Sequence, residues 1–165
     1  MSAPDTPLEH WINDAIATQL PIRRLSLSLD DSELLAACVR DAAQACDVPV
    51  VFSLVDAGGQ QRFYFSMDNA LLISHTLAPQ KAWTAVALKM ATHELAALVQ
   101  PGGDLYGLDK EKDICCFGGG FPCWSGGRLL GGIGISGGSV EEDMLIARQA
   151  LARFSALRYP LATTR

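Results

Sequence analysis

Apolar positions along this chain alternate between two periods, and the switches between them divide it into elements. Leu8, Trp11, Ile12, Ala15 and Ile16 recur at three- and four-residue intervals up to Leu20, the spacing that lines one face of a helix. Thr6 caps that segment, Pro7 takes the first helical position, Glu9 completes a capping box and Pro21 stops the helix. A second stripe, Leu34, Leu35, Cys38, Val39, Ala42, Ala45 and Cys46, predicts a helix that starts around Asp30 with Glu33 as capping partner and ends near Asp47.

The period then shortens. Val48 to Val55 is β-branched and apolar, Asp56-Ala57-Gly58-Gly59 has the chemistry of a turn, and Gln61 to Ser66 alternates with aromatics, so these residues predict a hairpin. From Asn69 to about Gln100 the composition is helical. Pro79 starts or kinks a helix there and Thr92-His93-Glu94 resets it, which gives two helical pieces. A polar loop with Gly102, Gly103 and Gly107 leads into a second β region, Ile114 to Ile135. Gly118-Gly119-Gly120 and Gly126-Gly127 punctuate that region into three short strands, the last being Arg128 to Ile135. Ser139 caps a final helix with Glu142 as its box partner, and Met144, Leu145, Ala147, Leu151 and Phe154 form its core face. Strands joined in sequence by short turns imply an α+β domain with an antiparallel sheet of about five strands and helices on its faces.

Composition narrows the function classes. At 165 residues, 49% hydrophobic and 19% charged, the chain suits a single domain with rather little polar material to cover it, which favours self-association. A net charge of −5 without any basic cluster argues against nucleic acid or an anionic membrane as partner. The N-terminus lacks the regions of a signal peptide and no apolar run reaches the roughly 18 residues of a membrane span, so a cytoplasmic location is expected. In that compartment Cys38, Cys46, Cys115, Cys116 and Cys123 are thiols, and their odd number and irregular spacing match neither a disulfide framework nor a CxxC site.

Gly132-Ile133-Gly134-Ile135-Ser136-Gly137 matches GxGxxG in letters. A dinucleotide fold also needs a following βαβ unit with an acidic residue about 20 positions on, and here only one helix follows. Glu141, Glu142 and Asp143 occupy its first turn, where they satisfy the helix dipole and repel a pyrophosphate. These glycines read as close packing, and Gly119, Gly120, Gly134 and Gly137 also as places where backbone can approach a flat ligand or another subunit. The histidines His10, His75 and His93 form no spaced cluster; on one unbroken helix His75 and His93 would stand about 27 Å apart, too far for one metal. Each is a candidate lone ligand. The chain has no GxSxG elbow and no local Cys–His signature. Lys81 and Lys89 lie on one helix within an apolar stretch, where a desolvated lysine is a candidate base and a snorkelling one is ordinary surface.

Several segments together resemble a known family. Val55 to Gly59, Ser74 through Lys81-Ala82-Trp83-Thr84-Ala85, Gly119-Gly120-Phe121-Pro122, and Gly131 to Gly138 with Glu142-Asp143 resemble the GlcG family, also called the heme-degrading or DUF336 family, over roughly Leu27 to Phe154. Trp83 to Met90 with Thr92-His93-Glu94-Leu95 is especially similar to the C-terminal domain of PduO-type cobalamin adenosyltransferases; their adenosyltransferase domain is not matched. The resemblance implies a profilin-like three-layer fold with a five-stranded antiparallel sheet, homo-oligomers up to octamers, and binding of heme or another tetrapyrrole. It divides the chain into an N-terminal helical arm, 1–26, and a GlcG-like domain, 27–165. The expected function is that of an oligomeric accessory protein binding a small ligand beside diol, glycerol or cobalamin-dependent metabolism. His75, His93, His10, Lys81, Thr84, Gly119, Gly120, Gly134 and Gly137 are its candidate ligand contacts, and no metal cluster is expected. The alternatives are a small-metabolite enzyme using Lys81, Thr84 or Cys123, and a purely structural assembly subunit.

Overall fold

The computed structural model describes residues 26–158, so the helix expected up to Leu20 and His10 lie outside the described residues. Helix α1 spans Leu29–Ala45. Its cap is Ser28, not the Asp30 region: the Ser28 hydroxyl accepts the Asp31 amide and the Asp31 carboxylate accepts the Ser28 amide, both at 3.0 Å. An aspartate three residues after a serine closes the same reciprocal box as a glutamate, and it draws the helix start ahead of the predicted one.

Strands β1, Val51–Asp56, and β2, Gln61–Ser66, form the expected antiparallel hairpin. Asp56 shapes its turn by accepting the Gly58 and Gln60 amides at 2.9 and 3.0 Å. Helix α2, Ser74–Leu88, ends on Lys89 in the left-handed conformation, and α3, Thr92–Leu98, follows. The two helical pieces are therefore present, with Pro79 inside the first rather than at a boundary. A single 3-10 turn, Leu108–Lys110, interrupts the next loop. Strands β3, Gly120–Ser125, and β4, Arg128–Ser136, form a second hairpin, and α4, Val140–Arg158, closes the described chain. Its box is the one read from the sequence, with Ser139 and Glu142 exchanging bonds at 2.7 and 3.1 Å.

The sheet is antiparallel with order β2-β1-β4-β3 and has four strands, not five. The missing strand is the one expected after Ile114. Its backbone is engaged elsewhere, with the Cys115 amide donating to Thr84 Oγ1 at 3.0 Å. Gly119 has a φ of 119° and presses against Asp143 and Ile135, a conformation a regular strand does not take.

Three layers result. On one face of the sheet Phe52, Leu54, Ile133 and Ile135 pack against Leu35 and Val39 of α1 and against Ile146, Ala150 and Phe154 of α4. Each such side chain contributes about 1.5–3 kcal/mol on burial. The other face is made of small residues. A Cβ at Gly134 would fall on the Ala78 carbonyl and stand 2.7 Å from the Ala82 amide, and one at Gly132 would stand 2.9 Å from the Ala82 carbonyl. Helix α2 thus lies on β4 nearly backbone to backbone, and Gly132 and Gly134, the first two glycines of the literal GxGxxG, are the bed that receives it.

One buried ion pair crosses this packing. Lys81 of α2, only 2% exposed, donates to the Ile135 carbonyl at 2.8 Å and to Asp143 Oδ2 at 2.9 Å. The other Asp143 oxygen accepts the Gly138 amide at 2.9 Å. Burial raises the Asp143 carboxyl above its ordinary value, while Lys81 and the amides of Gly138 and Gly137 pull it down.

Removing one partner strands the other in the interior, a loss of about 3–5 kcal/mol. Asp143→Ala is expected to lower the urea midpoint more than Lys81→Met, because the aspartate also satisfies glycine amides. In Lys81→Met the upward shift of Asp143 is no longer opposed by the ammonium. That variant keeps its stability below the ordinary carboxylate value and loses it as pH rises through the folded-state value, so its deficit against wild type widens with pH. A deficit that narrows, or Lys81→Met as the larger loss, contradicts this account. Gly134→Val and Gly137→Val each force backbone apart and are expected to lose about 3 kcal/mol or more; unchanged melting of both would show that the seam is looser than described.

Candidate functional site

Residues 75, 79 and 83 are four apart, so His75, Pro79 and Trp83 form one stripe along α2. That stripe borders the hairpin. Between them lies a cavity of about 380 Å³ whose walls include Pro79, Trp83, Gly59 and Val55, with Ser53, Gln61, Gln80 and Asp113 as polar lining. The Ser53 hydroxyl accepts a bond from Gln61 at 3.2 Å. Trp83 rests beside Gly59, whose φ of 81° and missing side chain leave room for the indole edge.

The polar end of the stripe is formed by Tyr64, Ser66 and His75. Alternation along β2 directs Phe63 and Phe65 toward the core side and leaves Tyr64 and Ser66 on the exposed side. The Tyr64 hydroxyl bonds His75 Nδ1 at 2.5 Å, and Ser66 Oγ lies 3.5 Å from Nε2. A histidine protonated at Nε2 satisfies both contacts, accepting from tyrosine and donating to serine. Just before α2, Leu71, Leu72 and Ile73 are all exposed, Leu72 by 85%. An apolar surface thus adjoins two side chains able to donate to a metal.

The other residues singled out in the sequence fall elsewhere. Lys81, Gly119, Gly120 and Gly134 come together, but inside the α2–β4 seam: a Cβ on Gly119 would stand 3.1 Å from Lys81 Nζ and one on Gly120 would stand 2.6 Å from the Lys81 carbonyl. Thr84 is fully buried and holds the Cys115 amide. Gly137 packs on Pro49 and Val50. His93 begins α3, with its ring 5.5 Å from that of Phe121 and its Nδ1 buried without a hydrogen-bond partner; the Arg148 guanidinium lies 5.6 Å from the same phenyl ring. The five cysteines are free thiols. Burial pushes Cys123 up to about 12, which keeps it protonated near neutrality.

Reading the sequence alone passed over Tyr64, Ser66, Ser53, Gln61 and Pro79. Two signals were present: the four-residue spacing from His75 to Trp83, and the phase of β2 that sets Tyr64 apart from its flanking phenylalanines. Other depressions are present among the described residues. One of about 550 Å³ lies between α1 and β2, with Phe63, Phe65 and Met67 in its wall. Another of about 400 Å³ borders Leu27, Cys123 and Trp124. Among the described residues no group of three His, Cys, Asp or Glu side chains is placed to hold a metal ion, and no helix is long and apolar enough to cross a membrane.

Comparison with known proteins gives these features a context. Residues 27–152 match the family described as haem degrading protein HbpS-like. The corrinoid adenosyltransferase PduO of Citrobacter freundii is 52% identical over 130 residues, covering 78% of this chain and 39% of that protein, so the chain spans about two fifths of that relative. The crystal structure of a PduOC:heme complex superposes with a TM-score of 0.75 at 52% identity, covering 77% of this chain and 94% of that one. Protein ORFY of Klebsiella pneumoniae, a DUF336 protein, superposes equally well at 43% identity, with 78% and 90% covered. The glycine-bedded helix, the antiparallel sheet and the match across residues 27–152 place this chain in the HbpS-like, or DUF336, family.

Proposed function

We propose that this chain is an oligomeric accessory protein that binds heme, or a closely related tetrapyrrole, in the groove between α2 and β2. The observation that carries the reading is the exposed Tyr64–His75 contact near Leu71, Leu72 and Ile73, with His75 on the same α2 stripe as Pro79 and Trp83, which line the cavity. The donor set fits the group: a phenol oxygen and an imidazole are both known ligands of heme iron, Pro79 and Trp83 offer flat apolar walls, and Arg62 on the same strand is held only at 3.8 Å by Asp56. Bound heme would supply a redox-active iron. The protein's part is to orient the macrocycle, cover part of its face and hold a proton at His75.

The relative solved with heme supports this reading, and the PduO relatives support a place beside cobalamin-dependent diol or glycerol metabolism in the cytoplasm. The layer order likewise supports the profilin-like arrangement, built with four strands. Binding is favoured over catalysis because the three candidate reactive groups are already engaged: Lys81 is paired with Asp143, Thr84 is bonded to Cys115, and the Cys123 thiol is held protonated. The exposed Leu29, Leu72, Phe117 and Trp124 support self-association. The division into an arm, 1–26, and a domain, 27–165, belongs to the same proposal.

Hemin titrated into the full chain is expected to develop a defined Soret band that saturates at a fixed ratio to protein. A shift that grows without saturating would indicate adsorption on apolar surface and would move the enzyme and assembly readings ahead, with a metabolite thermal-shift screen to separate those two. Light scattering at micromolar concentration is expected to return a multiple of 17.7 kDa; the mass of one chain would remove the oligomer from the proposal.

A further inference from the structure

We infer that residues 7–20 dock as a helix on their own chain, across the depression beside β3, and cover the end of the main core. The inference goes beyond the proposed function and depends on no ligand.

The depression of about 400 Å³ that borders Leu27 is an opening in the side of that core. Leu35, Leu130 and Phe154 in its wall are core residues, and Cys123 and Leu151 pack against them partly buried. None of the side chains lining it is charged, whereas Glu33, Arg40 and Asp68 stand in the wall of the larger depression between α1 and β2. Trp124 also lines it and is 48% exposed. That residue lies on β3, an edge strand of the sheet, and proteins commonly cover such edges with a helix or loop.

The course of the chain names the occupant. Leu27 forms part of the wall and is only 4% exposed, so the preceding residues leave the domain from this depression. The six residues from Pro21 to Ser26 reach at most about 20 Å, and a helix over the 14 residues from Pro7 to Leu20 is about 21 Å long. A helix that short is marginal in water and is held by burying its apolar face. Leu8, Trp11, Ile12, Ala15 and Ile16 form that face, which matches an uncharged depression with an exposed indole at its side. A short tether gives the arm a local concentration in the millimolar range, so at micromolar protein the depression of its own chain is filled ahead of a neighbour's. Trp124 is thereby assigned to the arm, and Leu29, Leu72 and Phe117 remain for contact between copies.

The test uses the full chain with the photocrosslinker p-benzoylphenylalanine in place of Ile12. Irradiation is expected to join position 12 to residues 122–125 or 151–155, in a denatured band with the mass of one chain. In a separate background carrying Trp11→Phe and Trp83→Phe, Trp124 is the one remaining tryptophan and reports its own cover. Acrylamide is expected to quench it weakly. Ile12→Asp raises that quenching to the level of a half-exposed indole and lowers Tm by about 3 °C or more, while Asn13→Asp, which adds the same charge away from the stripe, changes neither. A crosslinked band of two chains overturns docking on the same chain, and a crosslink to other residues overturns the assigned surface. Unchanged quenching and Tm in Ile12→Asp overturn the inference altogether, as does Leu161→Asp exposing Trp124 where Ile12→Asp does not, since the C-terminal residues would then be the cover.

Discussion

The contact between Lys81 and Asp143 organises this molecule. Lys81 projects from the middle of α2 through the plane of the glycines, reaches the carbonyl of Ile135 at the end of β4, and meets a carboxylate from the first turn of α4. One ammonium therefore joins a helix on one side of the sheet, the last strand of the sheet and a helix on the other side. An ion pair this deep is not a source of large net stability by itself, since desolvation offsets most of its Coulomb attraction. Its effect is on uniqueness. A register shift of α2 by even one residue would leave two buried charges without partners, so the pair fixes where the helix lies even though its alanine-rich face would allow sliding.

That constraint sets up the surface site as well. A helix pinned by Lys81 and bedded on Gly132 and Gly134 must present its opposite and flanking stripes at fixed positions relative to the hairpin. The flanking stripe is His75, Pro79 and Trp83, and the hairpin edge opposite it carries Tyr64 and Ser66. The interior glycines, which look like a ligand motif when read as letters, are packing positions that fix this placement. A close-packed seam also cannot admit a macrocycle, since the ideal Cβ positions on Gly119, Gly120 and Gly134 already collide with neighbouring atoms.

The parts of the fold that were readable from the sequence are those specified by neighbours in the chain. The β1–β2 hairpin follows from alternation and an Asp-Gly turn, the α4 start from Ser139 and Glu142, and the division of the central helices from the polar step at Thr92. The parts that were not readable depend on distant partners. Ile114 to Gly119 has the composition of a strand, but Thr84, some thirty residues away, takes the Cys115 amide and leaves no ladder to form. Lys81 and Asp143 are 62 residues apart, and no periodicity links them; apolar flanks suggested a lysine with unusual surroundings but not that it was already paired. Tyr64 and His75 are 11 apart on different elements, so their meeting depends on how the loop between them folds back. The family resemblance was legible because the glycine-rich segments recur in order, and those segments record packing.

It follows that the buried seam and the exposed Tyr64–His75 contact draw on separate sets of residues in this chain. The set that determines whether α2 docks, Lys81, Asp143, Gly132 and Gly134, is buried and shares few contacts with the groove. The set formed by Tyr64, Ser66 and His75 is exposed and held by its own hydrogen bonds. Substitutions far apart and without shared partners act nearly additively, so a change at Tyr64 or His75 is expected to leave the seam in place, while a change in the seam shifts the stripe that carries His75.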